Sequence, residues 1–385
     1  MLCDSLWLPS RQKGKIGKLP QLLPNSLMRY IKPEFPIAIA LLVFLFGLAV
    51  EHTVVELGGI SLWGFLLVIL VAIISVAFRI AHHAEVLAIR LGEPYGTLIL
   101  TLAAVSVEVV ILVVLLQGAP NPTLARDTVF AAVMFDINGI LGLAAIVGGL
   151  RHGSSKYNVD SGNSYISMLL VAIGIGMFIP DFVPEAQWKI YSAFSIGIMA
   201  VMYLAFLRLQ TVEHRMFFEY STEIMEESHD EIHSPNALHV GMMLGAIILV
   251  GMLSEILSAL LDAGLSGSSF SKAIPAVLVA LISASPEILT ALRAANQNRM
   301  QTTVNIALGA SLATVLLTLP VIEVIALLDE ERIDMALTPI QGGMLLLTFF
   351  AVMNNLHDGE TNAIEGISHF ALFAAFAALV AMGLI

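Results

Sequence analysis

Runs of about twenty apolar residues, each long enough for a helix to cross a bilayer, recur along the whole chain. Eleven such spans are predicted, at 35–50, 60–79, 96–117, 128–149, 165–180, 188–208, 239–261, 272–293, 302–326, 338–353 and 368–385. Basic residues sort sharply between the connections. With an inside N-terminus, 14 of the 18 Lys and Arg lie on one side, and only Arg126, Lys189, Lys272 and Arg332 on the other. A miscount by one span would scramble that segregation, so it supports both the count and a cytoplasmic N-terminus. The longest connection, about 210–238, divides the chain into six spans and then five. With the first span set aside, each half holds five. Because five is odd, two such units in sequence cross the membrane in opposite senses, the arithmetic of an inverted repeat.

The expectation is therefore an all-α polytopic membrane protein of about 11 transmembrane helices, one leading helix plus two inverted five-helix repeats. Its parts would be a cytoplasmic tail (1–34), the leading helix and first repeat (35–209), an acidic cytoplasmic loop (210–238) and the second repeat (239–385). Composition agrees, with 58% hydrophobic and 12% charged residues in 385, against roughly 25% charged in a soluble domain. The formal net charge of −12 argues against a nucleic-acid partner. The single Cys3 excludes a disulfide framework and a thiolate metal site. Met1–Ser10 lacks the basic start of a secretory signal, so none is expected.

Most of the 30 acidic residues fall in connections or at span ends. Five fall inside spans: Glu108, Asp136, Glu255, Glu287 and Glu323. A carboxylate at membrane depth costs several kcal/mol unless partnered or wet, and no Lys or Arg sits at matching depth. Such acids must bind a cation or a proton. Glu108 and Glu287 occupy the second spans of the two repeats, among small or hydroxylated neighbours: Ala103-Ala104-Val105-Ser106-Val107-Glu108 and Ser283-Ala284-Ser285-Pro286-Glu287. Pro286 breaks the helix ladder and frees the carbonyl of Ile282. That carbonyl with Ser283, Ser285 and Glu287 offers a hard-oxygen cluster suited to Ca²⁺ or another hard cation. The third spans add Asp136 and Asn138 on one side and Ser311 on the other. Meeting at mid-membrane, the two repeats would bring Glu108 and Glu287 together as the metal-binding pair, flanked by Asp136 and Ser311, with Ser106 in support.

The remaining acids read differently. Glu255 has no acidic counterpart in the first repeat, and Glu323 lies near a span end as an interfacial residue. The acidic run of Glu219, Glu223, Glu226, Glu227, Asp230 and Glu231 is a solvated face or a cation-sensing loop. His82, His83 and Glu85 do not match a zinc-binding helix motif. No histidine sits at mid-span depth to equip a hydrolase, so the chain is not expected to be an enzyme, and no cofactor is expected.

At these residues the chain resembles the calcium/cation antiporter superfamily, and within it the Ca²⁺/H⁺ exchanger branch of the bacterial ChaA type. The stretch Ala84–Leu98 is similar to the lead-in to that family's first repeat. The family's two Gly-Asn-Ala-(Thr/Ala)-Glu motifs fall on Ala104–Glu108 and Ser283–Glu287, where only the glutamates match. Asn305–Ser311 through Leu319-Pro320 resembles the following helix; the family's glutamine falls on Ala313 there, and its asparagine in the first repeat falls on Asp136. The resemblance implies alternating-access exchange of cations for protons at Glu108 and Glu287, in a bacterial inner (plasma) membrane. The implied cargo is Ca²⁺, and the lost asparagines and the gained Asp136 bring a monovalent Na⁺(K⁺)/H⁺ antiporter into consideration.

Overall fold

The computed structural model describes residues 34–92, 95–118, 121–213, 216, 235–266 and 271–385. Eleven helical elements cover them. They are α1 (Phe35–Leu57), α2 (Gly59–Leu91), α3 (Tyr95–Leu116), α4 (Leu124–His152), α5 (Val159–Phe182), α6 (Glu185–Glu213), α7 (Asn236–Leu265), α8 (Ile274–Asn296), α9 (Met300–Asp329), α10 (Pro339–Asn355) and α11 (Ala363–Ala381). Ten are long and apolar enough to cross a membrane, and α10 falls one residue short of the 18-residue length. The predicted tail 1–34 lies outside the described residues apart from Glu34, as does most of the 210–238 loop, including every acid proposed there for cation sensing.

Each predicted span has its helix, but several helices run longer. α2 continues twelve residues past position 79, through Arg79, His82, His83, Glu85 and Arg90. The apolar run that marks the predicted span ends near position 79, while the helical hydrogen-bond ladder carries on through the polar residues beyond it. α11 starts at Ala363, five residues before the predicted 368, because Asn362 caps it by accepting from Ile364 N and Glu365 N. Asn158 does the same for α5, and a Thr338–Gln341 capping box starts α10.

Contacts between connections fix the alternation of helix direction. Arg90 bonds Asn236, Arg151 bonds Asn296, and a short strand β1 (Ser154–Lys156) pairs antiparallel with β2 (Glu360–Asn362), all on the face rich in basic residues. On the opposite face Arg126 bonds Asp334, Arg332 bonds Glu185, and Ser271 bonds the carbonyl of Ile385. Each of these contacts joins connections of the same parity, as eleven alternating crossings require.

The repeats correspond element by element, α2–α6 with α7–α11. α2 and α7, the longest uninterrupted helices, pack along each other. α4 and α9 each pass through a π-helical segment, Met134–Leu141 and Thr314–Thr318. α4 is the most enclosed helix of the bundle. It meets α11 almost backbone to backbone: a Cβ on Gly366 would lie 2.5 Å from Ile146 N and 2.7 Å from Gly142 O. Small residues are what allow such approach between membrane helices.

That seam predicts a stability effect. Gly366→Val should destabilise the detergent-solubilised protein by about 1–3 kcal/mol or more through overpacking, seen as a lower thermal unfolding temperature. Gly343→Ala, where nothing lies within 4 Å of the new Cβ, should leave it unchanged or raise it. Equal unfolding temperatures for the two variants would contradict the close α4–α11 packing.

Candidate cation site

Four helices, two from each repeat, deliver the acidic groups and their hydroxyl partners. Glu108 sits past the middle of α3 and is 2% exposed; Asp136 sits in the π-helical segment of α4 and is 3% exposed. Glu287 follows Pro286 inside α8 and is half-buried. The electrostatic neighbours of these carboxyls are one another: Asp136 senses Glu287 and Glu108, and Glu287 senses Glu108. The predicted trio is thus brought together.

The hydroxyls come from α9. Thr314 Oγ1 donates to Glu108 Oε2 at 2.8 Å, and Thr318 faces the same carboxyl. Ser311 Oγ donates to Asp136 Oδ2 at 3.0 Å, the flanking position expected of it. Glu108 Oε1 is buried with no hydrogen-bond partner. An orphaned buried carboxyl oxygen is costly, and a proton or a cation is what relieves it. Among the described residues no three His, Cys, Asp or Glu side chains converge tightly enough to chelate a metal ion.

Thr314 and Thr318 were not singled out from sequence. Their signal is the spacing Ser311, Thr314, Thr318, which puts three hydroxyls on one face of an apolar helix. The π-helical turns keep that face aimed at the acids and are themselves frequent at functional sites.

Other expected ligands lie elsewhere. Asn138, two residues beyond Asp136, points away from the acids. Its Nδ2 donates to Thr348 Oγ1 at 2.8 Å, and its Oδ1 meets His369 Nδ1 at 3.0 Å. Thr348 in turn donates to the carbonyl of Met344, so the directions are settled: His369 Nδ1–H gives to Asn138, and Asn138 gives to Thr348. His369 is a buried histidine inside α11, not at the edge where the predicted span 368–385 puts it. It was missed because the span was started at 368, placing it at the edge. The carbonyl of Ile282, freed by Pro286, does not face an ion: Ser285 Oγ donates to it at 2.7 Å. Ser283 and Ser106 likewise donate to their own helices, at Ala280 O and Leu102 O. Hydroxyls in apolar helices satisfy themselves this way by default. Ser106 is also a poor neighbour for Glu108, since two residues along a helix turn through about 200°. Glu255 is exposed on α7, outside the cluster, whereas Glu323 is buried rather than interfacial.

Fold and site together define a multi-pass, all-helical membrane protein in which two inverted repeats enclose a cluster of unneutralised carboxyls. The sodium/calcium exchanger protein family matches residues 61–212 and 238–382, once over each repeat, and the chain belongs to that family. It is 33% identical over 313 residues to the putative ionic transporter y4hA of Sinorhizobium fredii (strain NBRC 101917 / NGR234), covering 79% of this chain and 85% of that one. It is 31% identical over 353 residues to the sodium-potassium/proton antiporter ChaA of Escherichia coli K12, covering 89% and 93%. Its fold resembles the crystal structure of the Ca²⁺/H⁺ antiporter protein YfkE, with a TM-score of 0.68 at 18% identity over 89% of this chain and 99% of that one.

The placement of Asn138 is testable. Asn138→Leu should lower thermal stability by about 1–3 kcal/mol, because it strands His369 Nδ1–H in the core. It should leave equilibrium cation binding intact. A variant of wild-type stability that loses cation binding would return Asn138 to the site.

Proposed function

We propose that this chain is a secondary active antiporter that exports cations from the cytoplasm in exchange for protons, with Ca²⁺ as the leading cargo. The observation that carries this reading is the cluster itself: Glu108, Asp136 and Glu287 are one another's charged neighbours, Glu108 and Asp136 are held by hydroxyls, and one oxygen of Glu108 is unpaired. Negative charges buried together without a counter-charge cost several kcal/mol. The cluster must hold protons or a cation, and what favours one displaces the other. Glu108 and Glu287 carry the exchanged species, Asp136 sets how much positive charge the site takes, and Ser311, Thr314 and Thr318 supply neutral oxygens.

Competition at one site becomes exchange if the site opens to one face at a time. A cation bound among the acids draws them in, and its release lets them part. In an inverted repeat, the two opening states are related by the symmetry of the halves. The face carrying 14 basic residues is read as cytoplasmic, in a bacterial inner membrane, and an inward proton gradient then drives cations out.

A second reading, Na⁺ or K⁺ in place of Ca²⁺, is favoured by one specific observation: the relative at 31% identity is named a sodium-potassium/proton antiporter. Asp136, an added acid where the resembling family has an asparagine, bears on the same choice.

The test is loss of a pH gradient when Ca²⁺, Na⁺ or K⁺ is added to energised inverted vesicles. Glu108→Gln and Glu287→Gln should each abolish the response to every ion while the protein remains in the membrane. Full activity in either variant would sink the assignment. Asp136→Asn should shift the order of preference among the three ions by roughly tenfold or more, about 1.4 kcal/mol; an unchanged order means that Asp136 does not select.

A further inference from the structure

Outside the cluster, a single buried acid has no assigned work. Glu323 lies in the last turns of α9, nine residues beyond Thr314, and is 5% exposed. Ser195 of α6 is its hydroxyl neighbour, and its Oε2 is buried without a partner. The side chain lines a cavity of ≈ 30 Å³ on the face opposite the basic one, with Tyr191, Ser192, Arg332 and Asp334 among the walls. That volume accepts a water molecule or two.

We propose that Glu323 is a proton-binding site, taking protons from water in this cavity and handing them towards the carboxyl cluster. This rests on the antiport reading. Three features support a proton over a metal ion. Two carboxyls, Glu323 and the Arg126-held Asp334, with the hydroxyls of Tyr191 and Ser192, offer too few free oxygens for a hard cation, which takes six or more. The Arg332 guanidinium lines the same cavity, held by Glu185 at 2.5 Å and by the carbonyl of Pro180 at 3.1 Å, and it repels a metal cation. A proton needs only one lone pair, and Glu323 Oε2 has it free.

The inward path follows α9. Thr318, five residues before Glu323, is about 7.5 Å deeper along the helix. Its Oγ1 is buried without a hydrogen-bond partner and faces Glu108. The relay would need water between the two side chains, which lie about 140° apart around the helix. The chemistry is plain transfer: hydronium in the cavity gives its proton to the carboxylate, leaving water and a neutral acid, and the acid passes the proton on through water.

The charged and titratable groups around Glu323 are accounted for. α6 brings Tyr191, and Lys189, which pairs with Glu330. The segment after α9 brings Arg332 and Asp334, and Asp334 is held by Arg126 from the start of α4, beside Asp127. The end of α5 and the turn after it bring Asp181 and Glu185. α3 carries only Tyr95, at its far end, and Glu108, in the cluster. None of the basic groups pairs with Glu323 in a salt bridge.

The experiment uses the full chain in everted vesicles, where trapped buffer sets the pH on the Glu323 side and the bath sets the other. Wild-type exchange should quicken as the lumen is made more acidic. Glu323→Gln should slow it roughly ten- to hundredfold and flatten its dependence on luminal pH, while equilibrium Ca²⁺, Na⁺ and K⁺ binding and the bath-pH profile stay as in wild type. Glu323→Asp should retain the luminal profile. Glu323→Gln with wild-type rate and luminal profile overturns the proposal, and so does loss of cation binding along with rate. Absence of cation-coupled proton flux in wild type overturns antiport itself, a distinguishable result. If Glu323→Gln fails to accumulate, Glu323→Asp carries the test by pH-difference infrared spectroscopy: a carboxyl band must shift between it and wild type, and identical spectra overturn the proposal.

Discussion

Buried negative charge with no positive partner is the condition around which this bundle is arranged. α4 contains the contrast within one helix. Asp127 is buried, but Arg126 Nε, Gln341 Nε2 and Thr123 Oγ1 all donate to it, at 3.0, 2.7 and 2.8 Å. An acid satisfied that fully is fixed in place and locks α4 to the first turn of α10. Asp136, nine residues further on, receives one hydroxyl from Ser311 and otherwise faces Glu287 and Glu108. The donors that would have made Asp136 inert are withheld. Hydroxyls suit that purpose, since a threonine or serine can donate to a carboxylate and can also turn its lone pair to a cation.

Holding three like-charged groups close is a packing problem before it is a chemical one. The π-helical segments answer part of it. Within Met134–Leu141, Asp136 looks to the acids while Asn138 looks to α10 and α11. The His369–Asn138–Thr348 chain then pins the outer side of the segment, and the α4–α11 glycine seam clamps it from behind. On α9, the segment Thr314–Thr318 holds the Thr314 hydroxyl on Glu108 and turns Thr318 towards it. Both repeats place an irregular turn at the same point, where regular hydrogen bonding matters least and side-chain aim matters most.

The architecture was open to sequence reasoning because its causes are bulk ones. Span length follows from bilayer thickness, and orientation from the asymmetry of the basic residues. Glu108 and Glu287 were legible for the same reason: an acid in an apolar run is costly wherever its neighbours are. Side-chain direction was not legible. Ser285 turning back to Ile282, Asn138 turning outward and Thr314 turning inward all depend on a few tens of degrees of helix rotation. Span edges were soft, and that hid both His369 and Glu323, each placed at an edge and found buried. The stripe of Ser311, Thr314 and Thr318 was present in the sequence, but a hydroxyl in an apolar helix usually bonds its own backbone, as Ser106, Ser254 and Ser283 do here. Only the position of α3 against α9 shows that Thr314 does otherwise.

Charge balance ties cargo to the number of acids. On the antiport reading, two acids are neutralised by one divalent cation, or by two protons, with no remainder. The third acid, Asp136, changes that: a filled neutral site then holds Ca²⁺ with one retained proton, or a monovalent ion with two. A low-dielectric site enforces such neutrality, because each uncompensated charge there costs several kcal/mol. Asp136 accepts from Ser311 and otherwise has the two other acids as its charged neighbours, so no fixed positive partner supplies the missing charge. An asparagine at this position donates and accepts without a charge to balance. The substitution thus alters what must enter along with the cargo, and not only which cargo fits.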